Sequence, residues 1–536
     1  MARKQGTFGA VAAGHEETAV TAVEVLKAGG NAFDAAVAAM ATACVTEPVL
    51  ASLGGGGFLL ARTASAPGEA VLYDFFTQTP KNRRSRDEIE FFPVLADFGT
   101  ATQEFHIGAG ACATPGMAAG MSMIQHDLCR MAPMDHFSRA IGLARNGVRV
   151  NDFQSFLFGV VSAIYDRDPE SIACFGDSHN ARNTNGAPAK LAPLGALMQN
   201  PDLGATLAAM AHEGCQLFSH GEIASEIGDF SRDHGGHLSK EDLAGYRVEK
   251  RAPLCIDYKG ARILTNPAPS TGGLLIAFAL RLMEKTGYGQ HEDAVGGAGE
   301  VPDHKALAQI MAATNRARVE SGLSDLHETA GETLLDADFL TTYEAEILGR
   351  PQAPRGTTHI SIVDAAGNAA SVTLSNGEGC GRMLPGRGFM LNNMLGEEDI
   401  NPLGFNAWAE DVRLCSMMSP SLMLEDRDVV TALGSGGSNR IRTAVLQVIS
   451  NILDNGMDMA NAVCSPRMHY ENGVLNIEGP RLPEVVQALA STVESALYWE
   501  QPNLFFGGVH AVQHIADQQT YDAIGDPRRG GHALVA

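Results

Sequence analysis

The sequence predicts a protein of the α+β class, on three observations. Strongly apolar helical stretches and short strands come first, and a mainly helical region follows. A β-hairpin and further strands then begin abruptly after a Pro- and Gly-rich linker. The chain has 536 residues, 45 % hydrophobic and 19 % charged, so it buries a sizeable core without staples.

The elements follow in order. His15 to Leu26 reads as a helix, with Val20, Val23 and Leu26 at helical spacing and Gly29-Gly30 as its stop. Ala32 to Cys44 reads as a second helix. It is almost entirely Ala, Val, Met and Phe, which predicts burial on all sides, and Glu47-Pro48 ends it. After Gly54-Gly55-Gly56-Gly57, Phe58 to Ala61 reads as a buried strand and Val71 to Phe75 as its antiparallel partner. Residues 116–345 read mainly as helix, for example Met117 to Leu128, His136 to Arg145 and Leu274 to Met283. Asn266 to Gly273 is a loop by its Pro, Gly and hydroxyl content. Gly349 to Gly356 holds two prolines, two glycines and two arginines, the composition of an exposed linker. Thr358 to Val363 alternates and is rich in β-branched residues. Asp364 to Asn368 is a turn by composition, and Ala369 to Ser375 is the return strand.

Bulk properties exclude several functions. The formal net charge of −23 argues against nucleic acid and anionic membrane as partners, because phosphate binding needs clustered Lys and Arg. Nine scattered cysteines include no Cys-x-x-Cys, so reduced thiols without metal or redox chemistry are expected. Met1 to Gly6 leads into no signal-peptide core, and Ala35 to Val45 is too short to span a bilayer. A soluble, cytoplasmic protein without cofactor or metal is expected. Gly54 to Gly57 is followed by no Lys-Ser or Lys-Thr, so it is not a phosphate loop. Gly434-Ser435-Gly436 lacks the glycine spacing of a nucleophile elbow. His510 and His514 stand four apart, but no third ligand is evident nearby.

Hairpin geometry gives the sharpest chemical inference. If the turn centres on Ala366, residues whose numbers add to twice 366 face each other, and Thr357 faces Ser375. Opposed residues have Cβ atoms about 4.5–5.5 Å apart, so two hydroxyls meet directly after the linker. A slip of one residue offers Leu374 or Asn376 instead. A threonine hydroxyl is a poor nucleophile without a base, and an N-terminal threonine carries one in its α-amine. That amine has a pKa of about 7.7–8.0, which suits proton shuttling near neutral pH. Within an uncut chain the same nitrogen is an amide. The chemistry therefore requires cleavage between Gly356 and Thr357.

Thr357-Thr358-His359-Ile360-Ser361-Ile362-Val363-Asp364 resembles the processing-site signature of the γ-glutamyltranspeptidase family. Gly29 to Ala36, Gly54 to Phe58, Thr114-Pro115-Gly116, Asn266 to Gly273 and Gly434 to Arg440 match that family in order, over nearly the whole chain. The resemblance implies a four-layer αββα sandwich of the N-terminal-nucleophile hydrolase type, built from both products of one precursor. Residues 1–356 would form the large subunit segment and 357–536 the small catalytic one, together one structural domain. It implies Thr357 as nucleophile, with Ser375 as the second hydroxyl that orients it. It implies an oxyanion hole from backbone N–H groups at Gly437 and Ser438, or, one residue earlier, at Gly436 and Gly437.

The donor pocket departs from the family pattern. Phe76 stands where the family clamps the substrate carboxylate with an arginine, and an aromatic ring makes no such bidentate bond. Met394 replaces a glutamine and Gly377 an asparagine. Glu397 stands in for the amine-binding aspartate. Ser416 keeps one of two carboxylate-binding serines, and Met417 occupies the place of the other. The segment from Asn393 to Cys415 is shorter than in long-lidded members, which opens the acceptor side. The expected function is that of an autoprocessed amidohydrolase and acyltransferase on small-molecule amides, with γ-glutamyl donors implied by the resemblance. The alternatives are an amidase for a different acyl group and a non-catalytic binding relative. The expected partners are the two subunits of the same precursor, with a higher oligomer allowed.

Overall fold

The computed structural model describes residues 4–97, 102–176, 190–288, 304–321, 334–335, 356–401, 404–426, 429–471 and 473–536. Gly349 to Arg355 of the linker lie outside the described residues, as do parts of the predicted helical region.

Two seven-stranded antiparallel sheets organise the described residues. The strands are β1 (Lys4–Gln5), β2 (Gly9–Ala13), β3 (Gly56–Arg62), β4 (Ala70–Phe75), β5 (Glu249–Arg251), β6 (Leu254–Tyr258), β7 (Ala261–Thr265), β8 (Thr358–Asp364), β9 (Ala369–Ser375), β10 (Ser421–Glu425), β11 (Val429–Gly436), β12 (Gly508–Ile515), β13 (Thr520–Ile524) and β14 (His532–Val535). The first sheet runs β1-β13-β12-β11-β10-β7-β6, and the second β14-β2-β8-β9-β3-β4-β5. Both sheets therefore mix strands from before and after Thr357, and the hairpin β8–β9 lies inside the second, between β2 and β3.

The hairpin explains the layering through its alternation. Ile360, Ile362, Ala370, Val372 and Leu374 join a core with helices α1 (Glu16–Lys27) and α2 (Ala32–Thr46). The other face meets the first sheet through polar groups. Ser361 Oγ donates to the His510 carbonyl at 3.1 Å, Ser371 Oγ to that of Leu433 at 3.0 Å, and the Ser421 N–H to Ser371 Oγ at 3.0 Å. His359 lies between them, its two ring nitrogens 2.8 Å from Thr373 Oγ1 and 2.9 Å from Ser361 Oγ. Burial holds its pKa well below the usual imidazole value.

Every residue of α2 is buried, as its composition predicts. α3 (Met117–Leu128) and α4 (Pro133–Asn146) follow the predicted helices closely. On the far side of the first sheet, α5 (Gly272–Thr286) packs on β6, and α6 (Arg440–Leu453) on β11 and β12. The region read as mainly helical also contains β5, β6 and β7, three strands of three to five residues. Strands this short carry a weak alternation signal, and long-range pairings fix them, β5 with β4 and β7 with β10.

Asp34 anchors α2 to the α3–α4 corner. Its carboxylate accepts the N–H groups of Asn31, Arg130 and Met131 at 2.8–2.9 Å, and His136 Nε2 lies 2.9 Å away. Burial pushes this carboxyl up, but the bonds from His136, Met131, Asn31 and Arg130 outweigh it and hold the pKa at about 2. Asp34, Cys129 and His136 have the spacing of a metal site, yet the carboxylate is already committed to these four groups. Asp34→Ala is expected to cost about 3–5 kcal/mol, the range for removing one member of a buried charged network. Urea unfolding of parent and variant measures it.

Candidate active site

The hairpin register places the site. Thr358 pairs with Leu374 and Val363 with Ala369, so the ladder centres on Ala366, and Thr357 and Ser375 form the next opposed pair. Asp364 fixes the turn. Its carboxylate accepts from the N–H groups of Ala366 and Asn368, from Asn368 Nδ2, and from the N–H of Ala32 at the start of α2.

Both hydroxyls meet the carbonyl that precedes Thr357. Thr357 Oγ1 and Ser375 Oγ each donate to the Gly356 carbonyl at 2.8 Å. The Gly377 N–H donates in turn to Ser375 Oγ at 3.1 Å. Thr357 and Ser375 are both buried. The predicted glycine loop closes over them. A Cβ on Gly436 would stand 2.0 Å from the Thr357 carbonyl oxygen, so only glycine lets β11 end there. Gly437 has φ +120° and Ser438 φ +51°.

Most of the predicted pocket residues come together. Phe76, Gly356, Thr357, Ser375, Met394, Glu397, Ile400, Ser416, Met417, Met418, Ser438 and Ile441 line one small cavity. Gly377 does not line it. Its backbone, at φ +61°, presses against Asn393 and Glu397 so closely that no side chain fits there. Phe76 stacks on Phe58 at 5.5 Å, and Tyr246 and Arg413 hold its backbone carbonyl. The loop Asn266 to Gly273 shapes the opposite wall. Thr271 N–H and Ser270 Oγ donate to the Ser416 carbonyl at 2.8 and 2.7 Å. A larger cavity of about 470 Å³ has Tyr246 in its wall, but neither Thr357 nor Ser375 borders it.

Sequence reasoning missed three ionisable side chains around Thr357. Arg529 Nη1 donates to the Thr357 carbonyl at 3.3 Å, and burial lowers its pKa to about 10. Glu378 Oε1 accepts the Gly356 N–H at 2.9 Å. Glu47, which sequence analysis used only as a helix stop, accepts from Thr358 Oγ1 at 2.7 Å. Only the turn Asp526-Pro527-Arg528-Arg529-Gly530 offered a local signal, two adjacent arginines in a late loop.

Two sheets that share strands from both parts of the chain, with helices packed on them, make a mixed α and β enzyme fold that matches N-terminal-nucleophile hydrolase structures. The chain belongs to the γ-glutamyltranspeptidase family, whose model matches residues 18–536. It is 29 % identical to a glutathione hydrolase proenzyme of Pseudomonas aeruginosa, over 98 % of this chain and 94 % of that protein. It is also 29 % identical to an acylase ACY 1 proenzyme of a Pseudomonas species, over 96 % and 91 %. A cephalosporin acylase from Bacillus halodurans shares the fold, with a TM-score of 0.82 at 21 % identity over 100 % of this chain and 97 % of that one. Among the described residues no helix is long and apolar enough to cross a membrane.

Glu47 yields a test of the site's electrostatics. Burial pushes its carboxyl from 4.5 up to about 7, against the lowering effect of the Thr358 and Thr18 hydroxyls. Between those values the folded state binds more protons than the unfolded one, so this group's contribution to stability falls as pH rises from 4.5 to 7. His15, on the same corner, is lowered to about 4 by burial and acts with the opposite sign. Glu47→Gln is therefore compared with the parent rather than read alone. It is expected to gain on the order of 2–3 kcal/mol relative to the parent between pH 5 and pH 8, measured by urea unfolding across that range.

Proposed function

We propose that this chain is an autoprocessed γ-glutamyltransferase-like amidohydrolase and acyltransferase with Thr357 as nucleophile. The observation that carries it is the convergence of the Thr357 and Ser375 hydroxyls on the Gly356 carbonyl. In maturation, Thr357 Oγ1 attacks the Gly356 carbonyl carbon, and the Gly356–Thr357 C–N bond breaks. The hydroxyl proton passes to the nitrogen, which becomes the Thr357 amine. Water then hydrolyses the ester, leaving a carboxylate on Gly356 and restoring the hydroxyl. The products are residues 1–356 and 357–536. They remain one αββα unit because β8 and β9 stay hydrogen-bonded between β2 and β3.

In the mature enzyme the free amine takes the Thr357 hydroxyl proton as the acyl carbonyl is attacked. Backbone N–H groups within Gly436, Gly437 and Ser438 hold the oxyanion, a contribution of about 10²–10³ in rate. The leaving amine takes the proton, and water or a second amine removes the acyl group. The names of the relatives support glutathione and other γ-glutamyl amides as donors. In this reading Glu397 and Ser416, which line the cavity, meet the ammonium and carboxylate of such a donor. We place the enzyme in the cytoplasm, without metal or cofactor.

Thr357→Ala is expected to leave the precursor whole and inactive. The parent should give two pieces on a denaturing gel, and the smaller should begin Thr-Thr-His-Ile-Ser by Edman sequencing. A mature, fully active Thr357→Ala protein would eliminate the mechanism. Ser375→Ala should keep the fold and slow turnover.

Specificity has its own test. Phe76, Met394 and Met417 make the cavity more apolar than an amino-acid head group prefers. Weak activity on glutathione is expected, with a raised KM as the main defect. Phe76→Arg puts a guanidinium at the cavity wall, near Glu397 and Ser416. One charge-assisted bond contributes about 1.5–3 kcal/mol, so kcat/KM for a γ-glutamyl anilide should rise roughly tenfold or more. Steady-state kinetics on both proteins decide it.

A further inference from the structure

Gly356, the residue before the nucleophile, is gripped at both of its backbone polar groups by the end of β9 and the turn that follows it. Its carbonyl accepts from Ser375 Oγ at 2.8 Å, and its N–H donates to Glu378 Oε1 at 2.9 Å. The reach of Glu378 depends on a sharp turn. Gly377 and Gly379 take φ +61° and +87°, and the Glu378 N–H is tied to Asn393 Oδ1 at 2.9 Å. A Cβ on Gly377 would lie 2.1 Å from that same Asn393 oxygen and 2.3 Å from Glu397 Oε1. The Glu378 side chain is buried, with 2 % of the residue exposed. A carboxylate is costly to withdraw from water, and here one oxygen is directed at the residue whose carbonyl is to be cleaved.

We infer that Glu378 is the positioning residue for self-cleavage, holding Gly356 so that its carbonyl stays on Ser375 in front of the Thr357 hydroxyl. The inference rests on Thr357 being the self-cleaving nucleophile. Glycine has the widest backbone freedom of any residue, and Gly356 ends a Pro- and Gly-rich linker. Left unrestrained, it would spend most of its time away from the near-attack geometry that an intramolecular acyl shift needs. Glu378 gives up and takes no proton in the step. It accepts one hydrogen bond before attack and keeps it until the C–N bond has broken.

The test is the cleavage rate of freshly synthesised precursor, followed on a denaturing gel. Glu378→Ala is expected to slow cleavage about tenfold or more, the effect of leaving the Gly356 N–H without its buried acceptor. Glu378→Gln keeps an acceptor oxygen at the same reach, and cleavage should run within threefold of the parent or faster. Rescue by glutamine separates positioning from a merely structural carboxylate, whose loss would lower the melting midpoint of both variants alike. Should the alanine variant fail to fold, Glu378→Met fills nearly the same volume without an oxygen and should show the same slowing. Parent-like cleavage in the folded alanine or methionine variant overturns the inference, and so does equal slowing in the glutamine variant. A parent that never splits overturns the nucleophile reading itself. Differences among variants of a parent that does split bear on Glu378 alone.

Discussion

The structure depends most on the register of the β8–β9 hairpin. Its side chains alternate strictly, so a slip of one residue would exchange the face that packs on α1 and α2 for the face that meets the first sheet. The apolar residues Ile360, Ile362, Val372 and Leu374 would then oppose the polar inter-sheet seam of His359, Ser361, Ser371 and Thr373. Asp364 enforces the register at the turn, and its bond to the Ala32 N–H ties the turn to the helix that buries the apolar face. The same register sets Thr357 opposite Ser375. Core packing and active-site geometry are thus consequences of one pairing.

What was legible in the sequence follows from this. The hairpin centre at Ala366 was readable because its turn residues and its two alternating strands are contiguous. The helix α2 was readable because its burial follows from composition and its stop is local. The cavity residues Phe76, Met394, Glu397, Ser416 and Met417 were found through resemblance, since they come from segments far apart in the chain. Glu47, Glu378 and Arg529 were not found. Each acts on residues 356–358 through a contact that only the folded chain creates, and an isolated Glu or Arg in sequence has solvent as its default partner. The strands β5 to β7 were lost for a related reason, because long-range pairing rather than local pattern defines them.

The donor cavity shows how a substituted residue is accommodated by its surroundings. Phe76 is no loose replacement for a cation. It stacks on Phe58 of β3, and its carbonyl is held by the Tyr246 hydroxyl and the Arg413 guanidinium. Arg413 does not line the cavity, and its own contacts run to Asp74 and to the carbonyls of Phe76 and Arg247. On the opposite wall, a Cβ on Gly272 would stand 2.0 Å from the Met417 carbonyl, so the Asn266 to Gly273 loop sets the position of Ser416 and Met417 together. The apolar character of the pocket is therefore built into its supports on both sides.

The polar handles around Thr357 form one pattern. The Gly356 N–H meets the Glu378 carboxylate, and the Gly356 carbonyl meets the Ser375 hydroxyl. The Thr357 carbonyl meets the Arg529 guanidinium, and the Thr358 hydroxyl meets Glu47. Donors on the peptide face carboxyl groups, and the next carbonyl faces a cation. Two of these partners, Glu47 and Arg529, come from opposite ends of the chain and hold consecutive residues, one through the Thr358 side chain and the other through the Thr357 backbone. Fixing a residue's backbone costs about 1–2 kcal/mol of conformational entropy, and here folding meets that cost before any chemistry begins. The backbone of Gly356 and Thr357 is consequently held at both carbonyls and at the Gly356 N–H, with the Thr357 and Ser375 hydroxyls on one carbonyl.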